Sequence, residues 1–366
     1  MNQTRSFLAV LGRVEGLPIA LVLVALFSAY ITSAPNVFLK TGIYMSFLET
    51  VTPLLICGLG LTFVITAGEI DLSFPAVIAL SGFVLAWAYR TLDPGWALWA
   101  GLVLALLAGA LAGYINGLLV ARVGVPSIMA TLASQFFWYG TTTLLAGGLQ
   151  VALVGIQDTF VHELLAGRLF KGQIVGGQNF SGLPVQSLWA LGLAVLMWFI
   201  LNRHTFGEAV SFIGDNANVA RVMGINVEKT RIQLFTFQGV IAAFAGIILT
   251  LDIGVFYPTQ GNFLLPVMAG VFVGGTSIAG GAGSIVGTFF GMYVIGSLEA
   301  GVVATTLSGY WVRAVEGVVM AVVVVLNAVI GEGRIAAISE QLRRWSVPAR
   351  ADTTRESLRQ PDEVMK

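Results

Sequence analysis

Two carboxylates and a serine stand at alternate positions in Thr66-Ala67-Gly68-Glu69-Ile70-Asp71-Leu72-Ser73-Phe74-Pro75, between two apolar runs. Paired carboxylates suggest acid–base catalysis, but no nucleophile, histidine partner or metal cluster accompanies them in the sequence. Gly68 and Pro75 instead argue for a broken helix, and Asp71 or Ser73 is placed to cap the helix that opens at Pro75. The segment is either a capped turn at a membrane edge or a discontinuous helix lining a translocation path, where irregular backbone and carboxylates are tolerated. Both readings stand on the sequence alone. Asn116, Gln135, Gln238, Asp252, Glu299, Arg313, Glu316 and Asn327 also fall in or beside apolar runs. The uncharged Asn116, Gln135 and Gln238 suit either hydrogen bonds between helices or contact with a neutral polyhydroxy substrate. With Glu69, Asp71 and Ser73 they form the candidate translocation path. Arg313 and Glu316, at i and i+3, read as a structural ion pair.

A second informative stretch runs from Arg203 to Asn226, through Thr205-Phe206-Gly207-Glu208 and Asp215-Asn216-Ala217-Asn218-Val219-Ala220-Arg221-Val222-Met223-Gly224. Thr205 with Glu208 fits a capping box, Asp215 or Asn216 can cap a short helix through Met223, and Gly224 is its left-handed stop. Val219, Val222 and Met223 then make an exposed apolar ridge flanked by Arg221. Such a ridge suits a helix made to enter a groove on another protein, the alternative being a helix lying on the bilayer. His162 and His204 lie in loops on opposite sides and cannot share a metal. The single cysteine, Cys57, reads as a buried small hydrophobe. No metal site or cofactor is expected in this chain.

The elements that must position these residues follow from composition. Of 366 residues 57% are hydrophobic and only 10% charged, against about 25% charged in soluble domains, and the mean hydropathy is +0.87. This excludes disorder and a soluble enzyme, and predicts an all-α integral membrane protein. Apolar runs place ten spans near 17–33, 45–66, 74–90, 96–120, 126–146, 188–202, 232–252, 263–276, 284–301 and 310–330. The first is read as an uncleaved span, since more spans follow and the cleavage site is poor. Basic residues concentrate at Arg5, Arg13, Arg122, Arg203, Arg221, Lys229 and Arg231 and in the tail, so the positive-inside rule makes both termini cytoplasmic. The organisation expected is a transmembrane domain over 1–330, with a cytoplasmic loop at 203–231, an outer loop at 147–187, and a cytoplasmic tail at 331–366. Five spans per half would make any internal duplication an inverted 5+5 repeat. A net charge of zero offers no basic face to nucleic acid.

Glycine falls at helical spacing at Gly109, Gly113 and Gly117 and again at Gly283, Gly287 and Gly291, which permits close helix packing. A dinucleotide loop at Gly280-Gly281 is set aside, since no βα unit precedes it.

Four stretches together carry a family resemblance: GLTFVITAGEIDLS (60–73), YINGLLVARVGVPSIMATLAS (114–134), TFGEAVSFIGDNANVARVMGIN (205–226) and GGTSIAGGAGSIVGT (274–288). Over nearly all of 17–330 the chain resembles the permease subunit of bacterial sugar importers of the ATP-binding-cassette (ABC) class, the ribose/xylose-type permeases. The resemblance implies an inner-membrane, multi-pass transport subunit for a sugar or polyol, and assigns ATPase coupling to Thr205, Phe206, Gly207, Asn216, Ala220, Arg221, Met223 and Gly224. It also implies the partners: a cytoplasmic ATP-binding dimer, a periplasmic substrate-binding protein and a second permease copy, in contact with membrane lipid. Where the family usually reads GGIDLS followed by Val-Gly, this chain has Glu69 in place of the second glycine, and Phe74-Pro75 after the serine.

No G-x-x-x-x-G-K-[ST] occurs, so ATP and Mg are expected on the partner rather than here, and the chain is not expected to be an enzyme. The alternatives are an ion-coupled secondary transporter, with Glu69, Asp71 or Asp252 as ligands, and a branched-chain amino-acid permease of the same importer class.

Overall fold

A helix that is apolar on every side must be covered on every side, and the 27-residue α11 (Val227–Ile253) is such a helix. In a computed structural model describing residues 15–175, 178–304, 310–319 and 321, α11 is the central element, with 78% of its apolar window buried. Around it, in chain order, stand α1 (Leu17–Ser33), the short α2 (Pro35–Phe38), α3 (Thr41–Thr50), α4 (Thr52–Thr66), α5 (Phe74–Thr91), α6 (Ala97–Leu118) and α7 (Ser127–Leu145). After the small α8 (Phe160–Ala166) come α9 (Val185–Arg203), α10 (Thr205–Val222), α11, α12 (Leu264–Val273) and α13 (Ile285–Ala304). The described residues all belong to one compact unit, 1–324.

Among the described residues five helices are long and apolar enough to cross a bilayer: α5, α6 with its π-helical extension Leu119–Val123, α9, α11 and α13. Helices α3 and α4, bent by 45°, add a sixth if they count as one span. Helices α1 and α12 are apolar but only 17 and 10 residues long. The expected span at 310–330 lies partly, and the tail at 331–366 wholly, outside the described residues.

The glycine spacing places two backbone-on-backbone seams. A Cβ on Gly109, Gly113 or Gly117 would lie 2.4, 2.1 or 2.7 Å from backbone atoms of α11, so α6 and α11 touch main chain to main chain. Gly287 and Gly291 do the same against Gly274 and Gly270 at the end of α12.

The loop expected at 147–187 is a folded cap. It contains α8, and its short strands pair β1 (Val151–Ala152) with β6 (Val255–Phe256), β2 (Arg168–Leu169) with β5 (Leu183–Pro184), and β3 (Ile174–Val175) with β4 (Gln178–Asn179). The β1–β6 pair ties the cap to the chain just beyond α11. His162 therefore sits in α8 rather than in an irregular loop.

Candidate functional site

Helix α4 stops at Thr66 because Gly68, at φ 75°, takes the left-handed turn, with Gly68 N–H on the Ile65 carbonyl and Glu69 N–H on that of Val64. The chain then runs without helix to Phe74, buried at Glu69, Asp71 and Ser73 and half-buried at Ile70 and Leu72. Its backbone groups need partners there, and α7 supplies them from one face. Ser127 Oγ accepts from Ile70 N–H at 3.2 Å, Thr131 Oγ1 from Leu72 N–H at 3.0 Å, and Gln135 Oε1 from Ala76 N–H at 3.0 Å. Ala76 N–H is shared between Gln135 Oε1 and the Ser73 carbonyl, and neither the Ser73 nor the Asp71 side chain caps the helix, because the two are engaged with each other. Ser127 and Thr131, spaced i, i+4 ahead of Gln135, are the site residues that sequence reasoning missed. Their spacing on one helix face was the available signal.

The carboxylates are buried and bonded. Asp71 Oδ1 accepts from both Ser73 N–H (2.7 Å) and Ser73 Oγ (2.6 Å), and Asn116 Nδ2 donates to that hydroxyl at 2.8 Å. Glu69 Oε1 pairs with Arg231 Nε at 2.8 Å, in the second turn of α11. Thus Glu69, Asp71, Ser73, Asn116 and Gln135 gather at one broken segment. Gln238 does not join them: it is fully buried between α11 and α4, and its amide has no hydrogen-bond partner among the described residues.

The 205–226 stretch packs beneath this segment. Helix α10 begins with His204 as its cap, Nδ1 accepting from Phe206 N–H at 3.1 Å. The capping box expected from Thr205 and Glu208 does not form, since Thr205 is already the first helical residue. Gly207 lets the new helix turn tightly on the old one, a Cβ there falling 2.2 Å from the Ile200 carbonyl oxygen. Phe206 packs against Phe63 of α4 and Phe237 of α11. The helix kinks at Asn216 (φ −163°, ψ 104°), whose Oδ1 caps Asn218 and Val219 N–H at 3.0 and 3.2 Å. Gly224, at φ 88°, ends it. Between them Ala220 is buried, while Val219, Val222 and Met223 are exposed, Val222 by 90%. Arg221 reaches Asn218 Oδ1 at 3.0 Å on the same surface.

Three distant motifs meet at one glycine. A Cβ on Gly214 would lie 1.8 Å from the Thr66 carbonyl oxygen and 2.5 Å from Gly281 N, and Gly281 N–H itself donates to Thr66 O at 2.8 Å. Helix α10, the end of α4 and the glycine loop before α13 are therefore locked main chain to main chain. Such a junction passes on displacement without a compressible side chain between its parts.

The family model described as "Branched-chain amino acid transport system / permease component" matches residues 43–324. The chain belongs to that family. It is 32% identical over 274 residues to the ribose import permease protein of Bacillus subtilis, covering 73% of this chain and 79% of that one. It is 31% identical over 281 residues to the fructose import permease protein of Rhizobium meliloti, covering 74% of each. To the autoinducer 2 import system permease protein of Salmonella choleraesuis it is 30% identical over 294 residues, covering 80% of this chain and 78% of that one. No solved structure matches. The permease is thus a multi-pass membrane protein whose relatives are transport subunits.

At the other end of the permease, around the far terminus of α11, lies a cavity of about 640 Å³ walled by α3, α4, Leu249, Asp252 and Ile253 of α11, the chain from Tyr257 to Phe263, Pro266, α13 and residues 312–316. The expected pair of Arg313 and Glu316 forms here, at 3.9 Å. Glu49, at the end of α3, is paired with Arg168 of the cap, and Asp252 lies against Glu49.

Proposed function

We propose that this protein is the membrane-spanning permease subunit of an ABC importer that carries a sugar or polyol across the bacterial inner membrane. The observation that carries this reading is the Gly214 junction. An exposed apolar ridge on one half of α10 is rigidly connected, through the other half, to a broken helix in the membrane domain. In this reading the chain crosses the bilayer ten times with both termini in the cytoplasm, 203–231 faces the cytoplasm and 147–187 the periplasm, and 331–366 is a cytoplasmic tail.

A separate ATPase dimer, holding ATP and Mg, receives Val219, Val222 and Met223 in a groove, with Arg221 at its rim and Asn216, Ala220 and Gly224 fixing the ridge's shape. Closure of the dimer pushes α10. Thr205, Phe206 and Gly207 pivot on the end of α9, and Gly214 transmits the push to Thr66 and Gly281. The segment Glu69 to Ser73, held by Asn116, Gln135 and Arg231, then moves against its neighbours and opens the path to alternate sides. A periplasmic binding protein docks on the folded cap and brings the substrate, and a second copy of the permease completes the assembly.

The relatives' names support a sugar-like substrate. That Glu69 is ion-paired and Asp71 doubly hydrogen-bonded within the chain takes support from the ion-coupled alternative. The test is uptake of labelled ribose and fructose by cells expressing the permease together with its ATPase and binding-protein partners. ATP depletion with gradients intact stops uptake on this reading, and a protonophore with ATP clamped does not. Uptake that follows the gradient instead overturns it, and suppression by unlabelled leucine but not by sugars would move the substrate to branched-chain amino acids.

A further inference from the structure

The cavity at the far end of α11 has the makings of a ligand site. Its volume of about 640 Å³ falls within the roughly 300–1,000 Å³ usual for small-molecule pockets. Its wall carries three kinds of group. Glu49, Asp252 and Glu299 supply carboxylate oxygens that accept from hydroxyls, one Glu49 oxygen being taken by Arg168. Asn262 supplies an amide that both donates and accepts. Tyr257, 38% exposed, supplies an aromatic ring with a polar tip.

Charge narrows the ligand class. Of the four carboxylates, counting Glu316, two are already paired, Glu316 with Arg313 at 3.9 Å and Glu49 with Arg168, and both guanidiniums are thereby engaged. A phosphate, a sugar acid or an amino-acid carboxylate would meet Asp252 and Glu299 with no unpaired cation on this wall, among the described residues, to receive it. A neutral polyol needs no cation, and its hydroxyls make charge-assisted hydrogen bonds to carboxylates, which are the stronger kind.

The wall is also supported from behind. Arg168 holds the Glu49 carboxylate, and Gln186, fully buried, donates from Nε2 to the Glu49 carbonyl at 3.1 Å and lies against Asp252, its own Oε1 left without a hydrogen-bond partner. Glu49 and Asp252 line a second polar cavity of about 630 Å³ under the cap as well, so the pair forms the shared wall between two chambers.

The geometry points to a weak binding station for a neutral polyhydroxy molecule, read by Glu49, Asp252, Asn262 and Tyr257, where substrate rests before it meets the broken helix. This rests on the import reading above and adds to it a resting site and the residues that receive the substrate there. The test is saturation-transfer NMR on the full chain in lipid nanodiscs, with D-ribose, D-fructose and ribitol as probes and leucine and ribose 5-phosphate as competitors. Transfer to at least one probe is expected, with binding about tenfold weaker in Asp252→Asn and in Asn262→Ala, and with neither competitor displacing it. Should Asp252→Asn fail to fold, Tyr257→Ala at a half-open position gives the same reading. No transfer to any probe, undiminished transfer in the variants, or displacement by leucine or the phosphate overturns the station. Uptake that needs ATP while these variants bind sugar normally discards the station alone. Uptake that does not need ATP discards the import reading and leaves the binding result standing.

Discussion

Replacing Gly214 by alanine adds one methyl group at the point where α10 meets Thr66 and Gly281. The new carbon would sit 1.8 Å from the Thr66 carbonyl oxygen, whereas carbon–oxygen contacts normally stop near about 3.3 Å. The backbones must therefore part by about 1.5 Å, and no side chain is present to give way. Overpacking of this kind costs about 1–3 kcal/mol. Separation also breaks the Gly281–Thr66 hydrogen bond of 2.8 Å, which adds about 1–3 kcal/mol where the freed groups stay buried. A total of roughly 2–6 kcal/mol should lower the melting temperature of the detergent-solubilised protein by about 3–8 °C. Because the displaced α10 then no longer bears directly on Thr66 and Gly281, ATP-driven uptake should fall by about tenfold or more. The controls are Gly140→Ala and Gly192→Ala, helical glycines with nothing within 4 Å of an added Cβ. These should be neutral or stabilise by up to about 1 kcal/mol. If Gly214→Ala melts and transports like the two controls, the junction is not the rigid connection argued above.

Four further outcomes are expected. Arg221→Glu combined with Met223→Asp should leave folding intact, as judged by size-exclusion and melting, while abolishing ATP-driven uptake, because a charged ridge no longer seats in an apolar groove. Arg231→Gln strands the buried Glu69 carboxylate and should destabilise by about 1–3 kcal/mol, reduced from the fully buried case by Arg231's partial exposure; a double-mutant cycle with Glu69→Gln checks that the loss is theirs. Ser73→Ala removes the hydroxyl that joins Asp71 to Asn116 and should cost about 1–3 kcal/mol, with Ser73→Thr retaining most of the melting temperature. Burial in the cap lowers the His162 imidazole pKa below its ordinary 6.5. The unfolded chain then binds the proton more readily, so cap stability is full above pH 6.5 and declines as pH falls below it. Hydrogen exchange of residues 160–166 should show that decline, and His162→Gln should flatten it.

Features that depend on neighbours in sequence were legible in advance. The glycines at steps of four marked the close-packing faces of α6 and α13 but not their partners, and Gly283, expected in the second series, precedes α13 and meets Thr66 instead; Asp215 or Asn216 with Gly224 bounded the ridge-bearing half of α10. The exposed faces of Val219, Val222 and Met223 followed from helical period alone. What stayed hidden depends on long-range geometry. Arg231 as the partner of Glu69, and Thr66 and Gly281 as the neighbours of Gly214, are set by how helices cross, which no local spacing encodes. His204 displaced Thr205 as the cap because α9 and α10 join without a spacer, leaving the imidazole nearest the free N–H groups. The strands of the cap are two residues long, too short for an alternating pattern to be seen. The far cavity draws its wall from five separate stretches, so the sequence offered only isolated polar residues such as Asp252 and Glu299.

The central claim is that this chain is moved by a partner's ATP hydrolysis. Native mass spectrometry of the gently solubilised complex from its own membrane tests it most directly. A mass corresponding to two permease chains with two separate ATP-binding subunits, lost on introduction of Arg221→Glu with Met223→Asp, is the expected result. A chain that travels without any ATP-binding subunit, yet supports gradient-driven uptake in liposomes, would contradict it.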